Sequence, residues 1–256
     1  MHLRGQLTVA MRADSTLVDA LHPSPNYGER KRGPRPHLIL LHYTGMVAAD
    51  QAIEWLAHPD SNVSCHYVID ESGTITQMVP EAARAWHAGA SHWAGENDIN
   101  SVSVGIEIQN PGHDRGYPDF PRAQMQAIAA LCRDIAARHG MRPEGVLAHS
   151  DVAPGRKCDP GEKFDWGWLA EEGVGHWVPP APFEPGCRAF ELGAEGAAIA
   201  RTQELLRRYG YGLEAHGKLD ERTRAVIRAF QQHFRPACAD GRLDAATYDT
   251  LARLVA

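Results

Sequence analysis

The stretch H-L-I-L-L-H, residues 37–42, restricts the possible folds more than any other part of the chain. Its centre is apolar without interruption, whereas a strand with one wet face alternates apolar and polar residues. This pattern predicts a strand that is covered on both faces. The next segment, 50–58, repeats apolar residues at helical spacing. Strand and helix therefore alternate from the start, which favours an α/β arrangement of layers.

The same alternation continues to about residue 150. The predicted strands cover residues 37–42, 65–70, 74–79, 103–109 and 145–148. The turn residues E-S-G between the second and third of these predict a hairpin. An amphipathic helix is predicted over 121–139, ending at Gly140. Together these elements predict an α/β fold with a mixed central sheet flanked by helices.

A proline-dense segment then interrupts the chain. The stretch W-V-P-P-A-P-F-E-P-G-C, which begins at Trp177, holds four prolines and a glycine in eleven residues. Proline at this density stiffens a chain without building a core, so it predicts a linker. We predict an N-terminal extension over 1–35, a first domain over 36–177, a linker over 178–195 and a small domain over 196–256.

After the linker the sequence has no strand pattern. Apolar residues recur at helical spacing in the three segments 195–209, 220–234 and 244–255. The two turns between these segments are similar in sequence: they read H-G-K-L-D-E-R-T and D-G-R-L-D-A-A-T. Gly217 and Gly241 would form the turns, while Asp220 and Asp244 would cap the helices that follow. We expect a three-helix unit made of two related halves.

Composition and charge exclude several classes of partner. The formal net charge is -6, and nucleic-acid binding needs a concentrated basic surface, so no nucleic-acid partner is expected. We interpret the basic cluster Arg30, Lys31, Arg32 and Arg35 as a solvated lead-in to the first strand. No apolar run approaches the roughly 20 residues that cross a bilayer, so no membrane insertion is expected.

The cysteines and the N-terminus bear on the compartment. The chain has five cysteines and no CxxC pair, which suits a reducing environment. Its first residues lack the continuous apolar region of a secretory signal. We expect a cytoplasmic location, with the periplasm as the alternative for a trimmed chain.

Two histidines stand at the ends of predicted strands. His42 ends the first strand, and His149 directly follows the strand V-L-A. A single histidine at the end of a strand is more often structural. If the two strands are parallel neighbours, however, both histidines would project from the edge of the sheet where open α/β proteins bind ligands. Asp159 lies ten residues further on, in a loop rich in Pro and Gly. Two imidazole nitrogens, one carboxylate and a free position for water are what a catalytic zinc requires, with Cys158 a weaker candidate than Asp159.

Two further residues would supply chemistry beside such a metal. Glu107 lies on the predicted strand 103–109, on the face opposite its apolar residues, so it is either a wet-face residue or a proton acceptor. The ammonium group of Lys157 would stabilise an oxyanion, although a surface lysine is the alternative. Amide and aromatic side chains suit sugar faces and peptide backbones. On that ground the predicted lining of a substrate groove is Asn62, His66, Trp86, His87 and Trp93.

Five motifs, in order, resemble the zinc-dependent N-acetylmuramoyl-L-alanine amidases of the amidase-2 type, which are related to peptidoglycan recognition proteins. They are L-H-Y-T-G, V-S-C-H-Y-V-I-D, A-W-H-A-G, S-V-G-I-E-I-Q-N-P-G and A-H-S-D-V-A-P-G-R-K-C-D-P-G. The resemblance covers about residues 36–177. It implies His42, His149 and Asp159 as zinc ligands, Glu107 as the acid/base and Lys157 as the residue that stabilises the oxyanion. It leaves Asp151 a structural or supporting role.

The resemblance also implies the reaction. It is hydrolysis of the amide between N-acetylmuramic acid, or its 1,6-anhydro form, and L-alanine, with zinc and no further cofactor. The C-terminal segment is similar to the three-helix peptidoglycan-binding domain, although Thr202-Gln203 stands where Leu-Gln is usual. Peptidoglycan fragments are the implied partner, either intact polymer or soluble anhydro-muropeptide. We expect deletion of residues 180–256 to spare hydrolysis of a soluble substrate.

Two other functions are compatible with parts of this pattern. One is a recognition protein that binds muropeptides without cleaving them, as do relatives that lack a zinc ligand. The presence of all three ligand residues disfavours it. The other is a binding module in which the C-terminal helices do the work, which leaves the polar residues of the first domain unexplained.

Overall fold

The computed structural model describes residues 11–31, 33 and 35–256. Its strands are, in chain order, β1 (Ala20–Leu21), β2 (Tyr27–Glu29), β3 (Leu38–Tyr43), β4 (Tyr67–Ile69), β5 (Ile75–Gln77), β6 (Ala83–Ala85), β7 (Ser103–Ile108), β8 (Val146–Ala148), β9 (Ala189–Phe190) and β10 (Leu243–Asp244). Its α-helices are α1 (Ala49–Ala57), α2 (Ile99–Val102), α3 (Arg122–His139), α4 (His149–Val152), α5 (Trp166–Glu171), α6 (Ala197–Tyr209), α7 (Glu221–Phe234) and α8 (Ala245–Leu254). Short 3-10 helices lie at Pro59–Ser61, His113–Arg115 and Pro143–Gly145.

Six strands form the central sheet, in the order β1-β5-β4-β7-β3-β8. Only β4 and β5 pair antiparallel in it, and all other neighbours are parallel. The predicted mixed sheet is therefore confirmed, and so is the hairpin, whose turn places Gly73 at φ +91. Helix α3 matches its predicted range, and Gly140 ends it in the left-handed conformation.

Strand β3 is buried on both faces, as its sequence predicts, but the two layers come from distant parts of the chain. Ile39 and Leu41 pack with α3 in one core. Leu38 and Leu40 belong to a second core that includes Leu205 and Phe230 of the C-terminal helices. The C-terminal unit therefore supplies the second layer over this part of the sheet.

The segment before β3 is also part of the folded structure. Strand β1 pairs with β5 at the sheet edge, and β2 pairs with β6. Arg30 donates hydrogen bonds to the carbonyls of Glu81, Asn100 and Ser103. The prediction of a solvated lead-in is therefore wrong for Arg30: its guanidinium is half-buried and donates to carbonyl groups that are distant in the sequence, which no local pattern reveals. Arg32 lies outside the described residues.

The C-terminal unit has the three predicted helices, α6, α7 and α8. Asp220 caps α7 by accepting from the Thr223 amide at 2.8 Å, and Asp244 caps α8 in the same way at 2.7 Å. Gly217 and Gly241 have the positive φ expected of turn residues. The antiparallel pair β9 and β10 was not predicted, because two residues are too few to show an alternating pattern.

Among the described residues, no helix combines the length and apolar character needed to cross a membrane.

Candidate metal centre and catalytic groove

Three parallel strands bring the predicted site residues to one edge of the sheet. In the pairing of β3 with β7, His42 lies opposite Glu107. In the pairing of β3 with β8, Leu41 lies opposite Ala148, so His149 follows β8 beside His42. Parallel neighbours have their carboxyl ends at the same edge, which is why two histidines distant in sequence meet there.

The side chains of His42, His149 and Asp159 converge on one point. The two Nδ1 atoms lie 2.9 Å apart. Asp159 Oδ2 lies 2.9 Å from Nδ1 of His149 and 3.2 Å from Nδ1 of His42. All three residues are buried, at 1%, 2% and 6% exposure respectively. Their ligand atoms form a group that could hold a metal ion.

A chain of hydrogen bonds fixes which nitrogen of His42 faces this group. The Ser103 hydroxyl donates to the Ile99 carbonyl at 2.7 Å, so its oxygen is left to accept from His87 Nε2 at 3.4 Å. His87 Nδ1 then accepts from His42 Nε2 at 3.0 Å. This order leaves a lone pair on His42 Nδ1, as a metal ligand requires.

A backbone carbonyl does the same for His149. Its Nε2 lies 3.0 Å from the carbonyl oxygen of Ala88, which can only accept. Arg156 Nη2 is 3.3 Å from Nε2 but donates to the Ala88 carbonyl at 2.5 Å, so we assign the proton to Nε2 and the lone pair to Nδ1. Burial lowers the pKa of His42 to about 4, which keeps that ring neutral at pH 7.

Three lone-pair atoms therefore face one another within 3.2 Å, an arrangement that a cation stabilises. Two imidazole nitrogens and one carboxylate form the donor set of open, catalytic zinc sites. The residues present thus fit a zinc ion. Cys158 is not part of this group, because its Sγ lies 3.3 Å from the Tyr43 hydroxyl and 3.6 Å from Nδ1 of His113.

Glu107 is a protonatable group beside the cluster. Burial, and secondarily the negative charge of Asp159, raises the pKa of its carboxyl group well above the usual value. Its Oε2 atom is buried and has no hydrogen-bond partner among the described residues. A buried and unpartnered carboxyl oxygen is costly for folding alone, so its position favours a role in catalysis over a wet-face residue.

One cavity of about 360 Å³ contains all of these groups. Glu107, Lys157 and the three candidate ligands line it. Lys157 is exposed at the rim of the cavity. Its positive charge contributes to the lowered pKa of His42 and partly opposes the rise in the pKa of Glu107. The structure therefore brings together all five residues for which the sequence predicts chemistry.

The predicted substrate-groove residues separate into two sets. Trp86 and His87 line the cavity, and His87 also holds His42 as described above. Asn62 does not line it: the residue is exposed in a left-handed turn, and its Nδ2 donates to the Asp60 carbonyl. Trp93 is buried in the core shared with the C-terminal helices.

His66 is fully buried away from the cavity. Its Nδ1 accepts from the Gly105 amide at 2.9 Å, and its Nε2 lies 3.1 Å from the Ala83 carbonyl and 3.0 Å from Arg30 Nη2. Both nitrogens are thus engaged with neighbours in the fold, so His66 has a structural place here instead of the predicted contact with substrate.

Helix α1 adds an apolar wall that sequence reasoning missed. Trp55 is 49% exposed, and it lines the cavity with Ala52 and Leu56. The spacing of these residues indicates one face of an amphipathic helix, a pattern that helices packed on a core share, so the sequence did not distinguish Trp55. The exposure of Trp55 beside the candidate ligands, which only the structure shows, indicates its place in the cavity wall.

The chain matches the family model of N-acetylmuramoyl-L-alanine amidase over residues 32–162 and that of a putative peptidoglycan binding domain over 195–251. It is 40% identical over 230 residues to the N-acetylmuramoyl-L-alanine amidase AmiD of Escherichia coli K12, covering 84% of this chain and 80% of that protein. It is 35% identical over 169 residues to the 1,6-anhydro-N-acetylmuramyl-L-alanine amidase AmpD of Salmonella typhimurium SL1344, covering 59% of this chain and 88% of that protein.

Solved structures agree with these sequence matches. The complex of Escherichia coli AmiD with anhydro-N-acetylmuramic acid-L-Ala-D-gamma-Glu-L-Lys superposes with a TM-score of 0.74 at 32% identity, covering 90% of this chain and 97% of that chain. AmpDh3 from Pseudomonas aeruginosa gives a TM-score of 0.70 at 31% identity, covering 96% of each chain. Both similarities extend over the sheet and the C-terminal helices together.

Proposed function

The chain belongs to the N-acetylmuramoyl-L-alanine amidase family, and we propose that it hydrolyses the amide between N-acetylmuramic acid, or its 1,6-anhydro form, and the L-alanine of a peptidoglycan stem peptide. One observation carries this proposal above the others. Three buried lone-pair atoms converge beside Glu107, whose buried Oε2 has no hydrogen-bond partner among the described residues, in a cavity open to a substrate. A protein that only bound muropeptides would have no use for Glu107 in that place.

His42, His149 and Asp159 are the proposed zinc ligands. A zinc ion held there would supply Lewis acidity toward the scissile carbonyl and toward a water molecule. The protein's own contribution is to hold both Nδ1 lone pairs in place, through His87 behind His42 and the Ala88 carbonyl behind His149.

Glu107 is the proposed acid/base. It takes a proton from the attacking water and then donates that proton to the departing nitrogen of L-alanine. Burial raises the pKa of Glu107, which makes its carboxylate a stronger base than an exposed glutamate. The same burial removes competing hydrogen-bond donors, since Oε2 has none among the described residues.

Lys157 is the proposed stabiliser of the tetrahedral oxyanion. Its side chain lies at the rim of the cavity, where the ammonium group can reach a bound carbonyl without being buried in the unliganded protein. Charge that develops on the carbonyl oxygen during attack is then met by a positive charge already in place.

The apolar side of the cavity is the proposed binding surface for sugar and peptide. Trp55 and Trp86 both line it, and aromatic faces suit the apolar faces of sugar rings. The AmiD complex holds an anhydro-muropeptide, which supports a soluble fragment of this kind as substrate. Trp86 and His87 remain the predicted substrate contacts on this chain.

The test is to incubate the full chain with a soluble 1,6-anhydro-muropeptide and, separately, with intact sacculi. We expect mass spectrometry to detect free stem peptide with a new L-alanine amino terminus, in a reaction that a chelator stops and added zinc restores. Binding of the muropeptide without release of peptide would instead support the recognition-protein alternative.

A further inference from the structure

Helix α7 of the C-terminal unit packs directly against the loop that carries two of the three candidate metal ligands. We call residues 149–162 the ligand loop. A Cβ atom added at Gly155 of this loop would lie 3.1 Å from the Ala225 side chain, so the two backbones approach closely. Hydrogen bonds join both ends of α7 to the loop, from Arg222 Nη1 to the Pro154 carbonyl at 3.2 Å and from Gln232 Nε2 to Glu162 Oε2 at 3.3 Å.

Asp151 is the centre of this contact. Its Oδ1 accepts from the Tyr211 hydroxyl at 2.6 Å, and its Oδ2 accepts from Nδ1 of His233 at 2.7 Å. The side chains of Asp151 and His233 are 0% and 2% exposed. Among the described residues, both side-chain partners of this buried carboxylate therefore come from the C-terminal unit.

Asp151 in turn fixes the start of the ligand loop. Its Oδ2 also accepts from the Ala148 amide at 2.8 Å, which caps the short helix that begins at His149. The Ser150 amide donates to the Asp159 carbonyl at 3.0 Å, so the two ends of the loop are tied together. A shift of Asp151 would therefore be transmitted to both His149 and Asp159.

The ring of His233 is itself held in place. It stacks on Trp166 of helix α5, with ring centroids 3.7 Å apart and an interplanar angle of 22°. Its hydrogen bond to Asp151 thus has a defined direction, set by a side chain of the first unit. The contact is a junction between the two units in which ring stacking and a buried hydrogen bond coincide.

We propose that Tyr211 and His233 are positioning residues for the metal site: by holding Asp151, they keep the ligand loop in the conformation that binds zinc. The inference rests on the proposed zinc site. It also revises the expectation that residues 180–256 are dispensable for hydrolysis of a soluble substrate. Docking of the C-terminal unit and zinc binding are linked, so each strengthens the other.

The physical basis is the cost of an underpaired buried carboxylate. When one donor is lost, the carboxylate of Asp151 regains hydrogen bonds most easily by moving toward water, and the ligand loop moves with it. Without zinc, the ligand loop then samples conformations in which His149 and Asp159 are not positioned to bind the metal. Zinc must order the loop on binding, and this costs part of the binding free energy. The effect appears as weaker zinc binding, separate from any loss of global stability.

The test uses Tyr211→Phe and His233→Phe in the full chain, since a truncated chain would lose a shared core. Each variant keeps an aromatic ring and removes one hydrogen bond to Asp151. Tyr209→Phe is the matched control: it removes a phenol hydroxyl from the same unit, and among the described residues the one hydrogen-bond partner of that hydroxyl is His176 Nδ1, at 3.4 Å. Zinc affinity is measured by competition with a chromophoric chelator, and amide hydrogen exchange of residues 149–159 is measured in the zinc-free protein.

We expect zinc affinity to fall about 10-fold in both variants, as for other residues that support metal ligands, while the control stays at the wild-type value. Exchange of the zinc-free ligand loop should accelerate in the same two variants. Wild-type zinc affinity and wild-type loop exchange in both would overturn the inference, even if their melting temperatures fall. A wild-type chain that binds no zinc would contradict the proposed function instead. In that case the amide hydrogen exchange of the ligand loop, compared between the variants and the wild-type chain, would still test whether Tyr211 and His233 hold the loop.

Discussion

The substitution Gly105→Ala tests whether His87 holds the metal ligand His42. A Cβ atom at position 105 would lie 2.5 Å from the His87 ring, although the backbone there needs no glycine conformation. Ordinary carbon contacts are about 3.5 Å, so the ring must retreat by about 1 Å. The hydrogen bond from His42 Nε2 to His87 Nδ1, now 3.0 Å, would stretch to about 4 Å and be lost.

Loss of such a supporting hydrogen bond weakens metal binding by roughly 10- to 100-fold, or about 1.4 to 2.7 kcal/mol. Chelator competition gives the zinc dissociation constant directly. Gly28→Ala is the control, because among the described residues the nearest atom to its new Cβ would be Trp86 Nε1, at an ordinary 4.0 Å. Equal zinc affinity in the Gly105→Ala and Gly28→Ala proteins would refute the role of His87.

Three further predictions concern the metal, the acid stability and the C-terminal fold. His42→Ala should lose bound zinc as measured by atomic absorption; unchanged zinc content would show that the ligand assignment is wrong. Arg138 and neighbouring donors lower the pKa of the buried Glu81 from 4.5 to about 2, despite the opposing effect of burial. The ionised form of Glu81 is therefore favoured in the folded state. It should contribute about 3 kcal/mol to the unfolding free energy above about pH 5, and this contribution should be lost as the pH falls toward 2. Urea titrations should show this loss in wild type and a flatter profile in Glu81→Gln; identical profiles would contradict it. Asp220→Ala removes the cap on the Thr223 amide and should cost about 1 kcal/mol in the same assay. An unchanged unfolding free energy would show that this cap contributes nothing.

The residues at the ends of the strands were predictable because their chemistry stands out against apolar neighbours. His42 and His149 each follow a buried run, and parallel pairing then places them together without further information. Glu107 was predictable for the same reason, since it breaks the apolar character of a central strand on one face only. Local pattern and strand geometry therefore bring the two histidines together, whereas Asp159 lies in a loop, and the family resemblance was needed to complete the proposed ligand set.

What the sequence did not reveal depends on partners that are distant in the chain. His66 and His87 were both predicted to line the substrate groove, yet backbone groups enclose His66, whereas His87 lies behind the candidate ligand His42. Arg30 looked solvated because its carbonyl partners lie some fifty to seventy residues away. The C-terminal helices looked like a separate module because no local signal shows that they cover the second face of β3. The cytoplasmic location stays a prediction.

The most direct test of the account is turnover by Glu107→Gln, a nearly isosteric change that removes the proposed proton acceptor. We predict that kcat on a soluble anhydro-muropeptide falls by roughly 10² to 10⁴ while zinc stays near one per chain. The unfolding free energy should not fall, because Glu107 Oε2 is buried and has no hydrogen-bond partner in the part of the chain that the structure describes. A Glu107→Gln protein that binds zinc and retains wild-type kcat would contradict the proposed mechanism.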